Sequence, residues 1–229
     1  MLGWLNILRL REHYWRGNWD AAVRLADEAI AAGQTAVPEV RPRTVRCQIR
    51  LGRDRIEEAR CDAAEALAGG RGSQALQSLH TALATHARVS LAAGDKAGAL
   101  ESVDELIERF AVQGSQQLSA SLPDFVVAAV DLGRTDAFLD AIAKLGKETL
   151  WIDAARSYGR NEFAAAAAIY TQIGSMPDAA YANLRAAQAL VEQGRRDADV
   201  PLQEALAFHR SVGATRYIRE GEALLAAAS

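Results

Sequence analysis

The sequence predicts an all-α protein assembled from short helices, and three observations lead to that prediction. Alanine accounts for 48 of the 229 residues, against 17 glycines and 5 prolines, so the composition favours the strongest helix former. Apolar residues recur at spacings of three and four along almost the whole chain. No run of four to eight residues alternates between apolar and polar, which argues against strands. We therefore expect about 75–80% helix and essentially no strand, well above the usual helical content of globular proteins.

Glycine-centred breaks divide the chain into roughly thirteen helices of about three to five turns. The breaks fall at Gly17, Gly33, Gly52, Gly69, Gly94, Gly114, Gly133, Gly159, Gly174, Gly194 and Gly213. Pro38, Pro177 and Pro201 stand near the starts of helical patterns, where a missing backbone N–H is tolerated. Pro123 is predicted to kink or restart the seventh helix. Because no polar linker divides the chain, residues 1–229 are expected to form one domain.

A spacing pattern recurs in the second helix of successive helix pairs. Its clearest copy is Phe163, Ala166, Tyr170 and Ile173, and the marker alanines of the successive copies are Ala22, Ala59, Ala99, Ala166 and Ala198. Twelve residues before the markers stand Leu10, Cys47, Ala87, Ala154 and Ala186, four of which are small. Small residues at both places let two helices approach closely where they cross, as a stacked helical hairpin requires.

This pattern resembles the tetratricopeptide repeat, both in the Ala166 to Tyr170 core and in the Gly17-Asn18 turn before Trp19. The intervals between marker alanines scatter around the family period of about 34 residues, and the interval from Ala99 to Ala166 is about twice that period. This longest gap is expected to hold one degenerate hairpin, at residues 124–145. The resemblance implies a tetratricopeptide-like α-solenoid of about six antiparallel helical hairpins plus a final helix.

The C-terminal third of the chain resembles the C-terminal tail of large actinobacterial signalling ATPases, in the segments 163–170, 173–181 and 205–224. Those proteins place an ATPase module, often with a cyclase domain in front or a LuxR-type DNA-binding domain behind, beside a long helical-repeat segment. The chain matches only that segment. The resemblance implies a sensing or scaffolding role, with neighbouring ATPase or cyclase domains as partners.

No motif in the sequence points to catalysis. There is no G-x-x-x-x-G-K-[ST] or G-x-G-x-x-G motif, and none of the four histidines has another at the i, i+4 spacing that suits zinc. Cys47 falls at a crossing position, and Cys61 has acidic neighbours that disfavour a thiolate. We therefore predict a protein that is not an enzyme, with no catalytic, cofactor-binding or metal-binding residues.

The charge pattern bears on partners and location. A formal net charge of −3 gives no bulk attraction to nucleic acid. The arginines at 41–55 concentrate positive charge on one hairpin, but no flanking aromatic offers a stacking surface, so nucleic-acid binding is not expected. The longest purely apolar run has eight residues, short of a membrane span, and the N-terminus does not resemble a signal peptide. We expect a soluble, cytoplasmic protein without membrane contact.

The N-terminal helix, at residues 3–16, has an apolar arc too wide for an end cap with one face in water. Leu10 and Tyr14 lie on one side of that arc, and Trp15 lies on the adjoining side. We predict that this helix contacts something beyond the second helix. Preceding repeats of a longer protein and a second copy of the chain are the two alternatives.

The favoured function is a non-catalytic protein-interaction or regulatory module, a helical-repeat sensor or scaffold within a signalling or transcriptional regulator. In tetratricopeptide proteins the inward side of the first helices lines a groove, and the resemblance implies that protein or peptide partners bind there. The residues at these places are Arg11, Gln48, Arg88, Trp151, Tyr158 and Asn183. Arg11 and Arg88 are expected to pair with an acidic segment or a carboxylate. Alternatively, this surface meets only water or is filled by the final helix. Further alternatives are a self-associating scaffold and an enzyme with an unrecognised site.

Overall fold

Thirteen helices make up the fold in the computed structural model, which describes residues 2–33, 37–73, 75–113, 120–195 and 198–228. The side chains of residues 2–7, 37–39, 111–113 and 228 lie outside this description. The helices are α1 (Leu2–Trp15), α2 (Trp19–Ala31), α3 (Val37–Gly52), α4 (Ile56–Gly72), α5 (Leu76–Ala92), α6 (Lys96–Gln113), α7 (Leu122–Asp131), α8 (Thr135–Ala143), α9 (Leu150–Gly159), α10 (Phe163–Ile173), α11 (Met176–Glu192), α12 (Asp199–Ser211) and α13 (Thr215–Ala228). They hold 83% of the described residues, which include no strand. The predicted all-α class is confirmed.

Local sequence features set the helix boundaries. Gly17 follows α1 with φ of 79°, a left-handed conformation that glycine adopts without strain. Pro123 and Pro177 lie in the first turns of α7 and α11. Of the two outcomes predicted for Pro123, a kink or a restart, the structure shows a helix that starts at this proline. Thr149 caps α9 by accepting a hydrogen bond from the Ile152 backbone N–H at 3.3 Å. The predicted break at Gly114 lies outside the described residues.

The small residues predicted to mark helix crossings are buried in the core. All five marker alanines are buried, as are the residues twelve positions before them. At one crossing the Cys47 thiol donates to the Ala59 carbonyl oxygen, with the two atoms 3.1 Å apart. The degenerate hairpin predicted at residues 124–145 corresponds to α7 and α8, which pack against each other and bury Phe125 and Phe138.

Alternate helices also pack together, and this arrangement brings the two ends of the described chain into contact. α3 contacts α1 and α5, α7 contacts α5 and α9, and α11 contacts α13. In addition, α13 contacts α3, and α1 contacts α11. The accessible surface of 10577 Å² is close to the roughly 10,100 Å² typical of a compact monomer of this mass. The helices therefore close around a central region instead of extending as an open array.

An apolar seam joins the first two helices to the last two. Leu10 and Tyr14 of α1 are 1% and 7% exposed, and they belong to one cluster with Val212 and Ala214. The part of the α1 apolar arc that contains Leu10 and Tyr14 thus meets the C-terminal part of the same chain, rather than preceding repeats or a second copy, while Leu8 on the same helix is 56% exposed. The Trp19 ring packs edge-on against Phe208, with centroids 6.2 Å apart.

Polar contacts and close packing reinforce this seam. Arg53 donates from Nη2 to Asp20 at 2.6 Å and to the Val212 carbonyl oxygen at 3.3 Å. A Cβ atom on Gly17 would lie 3.1 Å from the Phe208 ring and 3.3 Å from the Val212 side chain, so the seam is closely packed at this glycine. No described helix has the length and apolar character needed to cross a membrane.

Candidate ligand-binding groove and inner chamber

An open groove of about 490 Å³ lies where α3, α5, α11 and α13 meet, and we call it the central groove. Its lining includes three arginines, Arg88, Arg185 and Arg216, and two acidic residues, Asp131 and Glu220. Leucine and alanine side chains complete its walls. The groove therefore combines a small excess of positive charge with apolar surface, and its volume falls within the range of small-ligand and peptide sites.

The Tyr181 ring forms the floor of the central groove, and two arginines lie over it. The Arg88 and Arg185 guanidinium carbons are 4.1 and 5.0 Å from the ring centroid. Tyr217 packs edge-on against the same ring, with centroids 5.3 Å apart. These cation–π and aromatic contacts hold the arginine side chains in place on the groove floor.

Glu220 lies between two of the groove arginines. Arg185 Nη2 donates to Glu220 Oε2 at 2.8 Å, and Arg216 Nε is 3.4 Å from Glu220 Oε1. Arg185 Nε is buried and has no hydrogen-bond partner in the described part of the chain. Guanidinium groups bind carboxylates strongly because their N–H donors match the two carboxylate oxygens. Glu220 thus marks a place where a carboxylate is bound by arginine.

Next to the groove lies a second, smaller cavity of about 40 Å³, which we call the inner chamber. Its walls include Arg88, Tyr181 and Tyr217, which it shares with the central groove. Each water needs about 10–15 Å³ of this kind of space, so the chamber has room for roughly three or four water-sized guests. Two carboxyl groups, Asp124 and Asp178, lie in its wall.

Arg88 and Asp124 form the polar centre between groove and chamber. Arg88 donates from Nη1 to the Tyr181 hydroxyl at 3.0 Å and from Nη2 to the Tyr217 hydroxyl at 3.4 Å. Its Nε lies 3.8 Å from Asp124 Oδ1. Asp124 Oδ2 accepts hydrogen bonds from Gln48 at 2.7 Å and Thr85 at 3.0 Å. The network therefore ties α3, α5, α7, α11 and α13 together.

Burial acts on both charges of this pair. It raises the pKa of Asp124, because loss of hydration outweighs the favourable effects of Arg88, Gln48 and Thr85. Burial alone would lower the pKa of Arg88, but the nearby tyrosines and Asp124 raise it above its ordinary value. Arg88 therefore remains charged, and Asp124 is its only carboxylate within ion-pair distance among the described residues.

Asp178 is the second chamber carboxyl group, and its surroundings differ from those of Asp124. Its Oδ2 accepts a hydrogen bond from the Ser175 hydroxyl at 2.5 Å. No basic side chain of the described residues lies within ion-pair distance of it. Burial raises the pKa of Asp178 to about 7, and the Asp124 carboxylate adds to that effect while Ser175, Arg11 and Arg88 oppose it. Asp178 is thus a partly buried acid with no cation within ion-pair distance among the described residues.

The structure brings together some of the six residues predicted for the inward face. Gln48, Arg88 and Tyr158 line the inner chamber, and Arg88 also lines the central groove. Arg11 lies near both chamber carboxyl groups, and its Nη2 atom is buried without a partner among the described residues. Trp151 packs behind the chamber against Tyr170, with ring centroids 6.1 Å apart. Asn183 instead donates to Glu204 at an exposed position, away from this face.

Sequence reasoning missed four residues that shape the site, namely Asp124, Asp178, Tyr181 and Tyr217. The two acids carry a shared signal, because each directly follows a proline in the first turn of a helix. A proline followed by aspartate usually marks the start of a helix, and the aspartate side chain at such a start usually faces water. The pair therefore does not by itself indicate a binding site. Tyr217 comes from the final helix, which partly fills the inward face, as one of the alternatives anticipated.

The arginine-rich stretch at residues 41–55 is neutralised within the chain. Arg46 forms hydrogen bonds with both Asp62 oxygens, at 2.9 and 2.5 Å, and with Asp27 at 2.5 Å. Arg50 binds the same Asp62 carboxylate at 2.6 Å. Arg43 pairs with Glu65, Arg53 with Asp20, and Arg55 with Glu58. These arginines hold α2, α3 and α4 together.

Other candidates for chemistry lie apart from the groove. Burial raises the pKa of the Cys47 thiol well above its ordinary value, while Cys61 is exposed. Among the described residues, no three His, Cys, Asp or Glu side chains are grouped closely enough to hold a metal ion. Comparisons of the chain with protein-family models, curated proteins and solved structures give no match.

Proposed function

We propose that this chain is a non-catalytic interaction or regulatory module that binds a carboxylate-bearing ligand in the central groove. Its thirteen helices form a tetratricopeptide-like solenoid of six hairpins plus a final helix, and its two ends meet. The placement of Glu220 between Arg185 and Arg216 carries the proposal, because the groove already binds a carboxylate of its own chain there. A ligand carboxylate takes the same place when it displaces Glu220.

The ligand class follows from the shape and charge of the groove. Arg88, Arg185 and Arg216 supply fixed guanidinium groups, and the apolar walls accept aliphatic parts of a ligand. An acidic peptide fits this description, as does a small dicarboxylate effector. The resemblance of residues 163–224 to helical-repeat segments of signalling ATPases supports a cytoplasmic role beside an ATPase or cyclase domain.

The experiment uses a fluorescein-labelled hexaglutamate peptide, with glutarate as the small-molecule arm. Replacing Arg185 by alanine is expected to weaken binding of the preferred probe by about two- to fivefold, since a partly exposed ion pair contributes up to about 1 kcal/mol. Glu220→Gln frees the Arg185 guanidinium, while Arg216 keeps its pair with Asp54, and is expected to strengthen binding by a similar factor. Tighter binding of the peptide identifies a peptide partner, and tighter binding of glutarate identifies a small effector.

Glu222→Gln is the matched control, because Glu222 pairs with Arg210 at 3.0 Å outside the groove. It removes the same charge from the same helix and is expected to leave affinity unchanged. Equal affinities for the Glu220→Gln and Glu222→Gln proteins would contradict the proposed site, as would the absence of binding by both probes.

A further inference from the structure

The inner chamber has hydrogen-bonding groups without partners among the described residues. Arg88 donates two of its five N–H groups to Tyr181 and Tyr217, and its Nε lies 3.8 Å from Asp124. Asp178 has no cation within ion-pair distance among the described residues. The amide oxygen of Gln48 is buried without a partner there. A guest that donates hydrogen bonds and carries positive charge would pair with Asp178 and satisfy the Gln48 amide oxygen.

A second observation shows that the chamber wall is built to meet a guest. Tyr170 is 2% exposed, it lines the chamber, and its hydroxyl has no hydrogen-bond partner among the described residues. A buried polar group without a partner costs free energy, so such groups usually meet water, an ion or a ligand. The aromatic faces of Tyr14 and Tyr158 border the same space and favour a cation.

We propose that the inner chamber binds a small primary ammonium group, held by Asp178, the Tyr170 hydroxyl and the Gln48 amide oxygen. The guest is the ammonium ion or a short alkylammonium head. A primary ammonium carries the N–H donors that these three acceptors require, whereas a quaternary ammonium carries none. This site is distinct from the carboxylate site proposed for the groove and does not use Arg185 or Glu220.

The charged groups around the chamber define the pH at which the guest binds. Arg88 and Asp124 offset each other, and Arg11 lies nearby without reaching Asp178. Burial lowers the pKa of His209 to about 4, so this ring is neutral above pH 6. Burial raises the pKa values of the lining tyrosines Tyr14, Tyr158, Tyr170 and Tyr217. Asp178, with a pKa of about 7, is therefore the chamber group that changes charge between pH 6 and pH 8.

Thermal unfolding of the full chain tests the proposal in ammonium, methylammonium, tetramethylammonium and sodium chloride at equal ionic strength. At pH 8 we expect ammonium, methylammonium or both to raise the melting temperature by roughly 2–4 °C relative to sodium. Tetramethylammonium is expected to match sodium because it has no N–H to donate to the chamber acceptors. The rise is expected to be smaller at pH 6, where Asp178 is mostly protonated. A response to ammonium alone indicates the free ion, and a larger response to methylammonium indicates an amine head.

Isosteric variants locate the effect. Asp178→Asn is expected to abolish the ammonium response, and Tyr170→Phe is expected to reduce it. Asp153→Asn serves as control, because Asp153 pairs with Arg156 at 3.0 Å outside the chamber and its loss should leave the response intact. Arg185→Ala should also leave it intact, so failure of the groove proposal does not affect this test. Equal melting temperatures in sodium, ammonium and methylammonium would overturn the proposal, as would an unchanged response in Asp178→Asn or in Tyr170→Phe.

Discussion

Replacing Asp124 by alanine removes the carboxylate at the centre of the polar network. The loss of stability can be judged from the structure, because three side chains lose the Asp124 carboxylate as their acceptor or ion-pair partner at once. Gln48 and Thr85 lose hydrogen bonds of 2.7 and 3.0 Å, and the Arg88 guanidinium, 11% exposed, keeps its charge without a carboxylate. Breaking a buried pair from one side typically costs about 3–5 kcal/mol, and we expect Asp124→Ala to reduce the free energy of unfolding by that amount.

Urea unfolding measures this loss, followed by far-UV circular dichroism and by tryptophan fluorescence to check for a single transition. The double variant Arg88→Met/Asp124→Leu is expected to lose less than Asp124→Ala alone, because it leaves no unpaired charge. Glu57→Ala is the surface control: Glu57 pairs with Arg60 at 3.2 Å, and such exposed pairs contribute less than about 1 kcal/mol. A loss below about 1 kcal/mol for Asp124→Ala, or a double variant less stable than the single one, would refute this reasoning.

Three further predictions concern packing and protonation. Trp19→Ala should lower the free energy of unfolding by about 3–5 kcal/mol in the same urea assay, because Trp19 is 3% exposed and packs against Phe208 across the seam; a loss typical of a surface residue would contradict this. Cys47→Leu should cost about 1–3 kcal/mol by overfilling the crossing with Ala59, whereas Cys61→Leu, at an exposed position, should change little. Burial lowers the pKa of His209 to about 4, so the unfolded chain binds the extra proton between pH 6.5 and 4 and stability falls on acidification. The stability advantage of the native protein over His209→Gln should shrink by about 2 kcal/mol from pH 7 to pH 5, and a constant difference would show that this histidine does not titrate as described.

Features set by residues close in sequence could be predicted without the structure. Ala59 and Cys47 are twelve positions apart, so their spacing alone indicates that two neighbouring helices cross at small residues. The segment 124–145 is predicted to be a hairpin because the interval from Ala99 to Ala166 is about twice the repeat period and so has room for one more unit. Pro123 marks a helix start because its ring restricts the backbone of its own residue and of the residue before it.

Features that depend on distant residues could not be predicted in this way. Arg88 and Tyr217 are 129 residues apart, and Arg219 and Asp54 are 165 apart, yet each pair forms a hydrogen bond. The curvature that brings them together is the sum of many small rotations between helices, none of which a spacing pattern specifies. Likewise, the preceding proline indicates that Asp178 lies at a helix start, but nothing local indicates that it lines the inner chamber, because that chamber is formed by helices distant in sequence.

Small-angle X-ray scattering of the monomer measures directly whether the two ends of the chain meet, which is the basis for both the groove and the chamber. The contacts of α13 with α3 and of α1 with α11 predict a compact particle. A closed chain of 229 residues should have a radius of gyration of about 17 Å. Six hairpins stacked in an open row would extend for about 60 Å and give a radius above roughly 20 Å. A radius that matches the compact chain supports the closed arrangement, and a radius as large as that of the open row would contradict it.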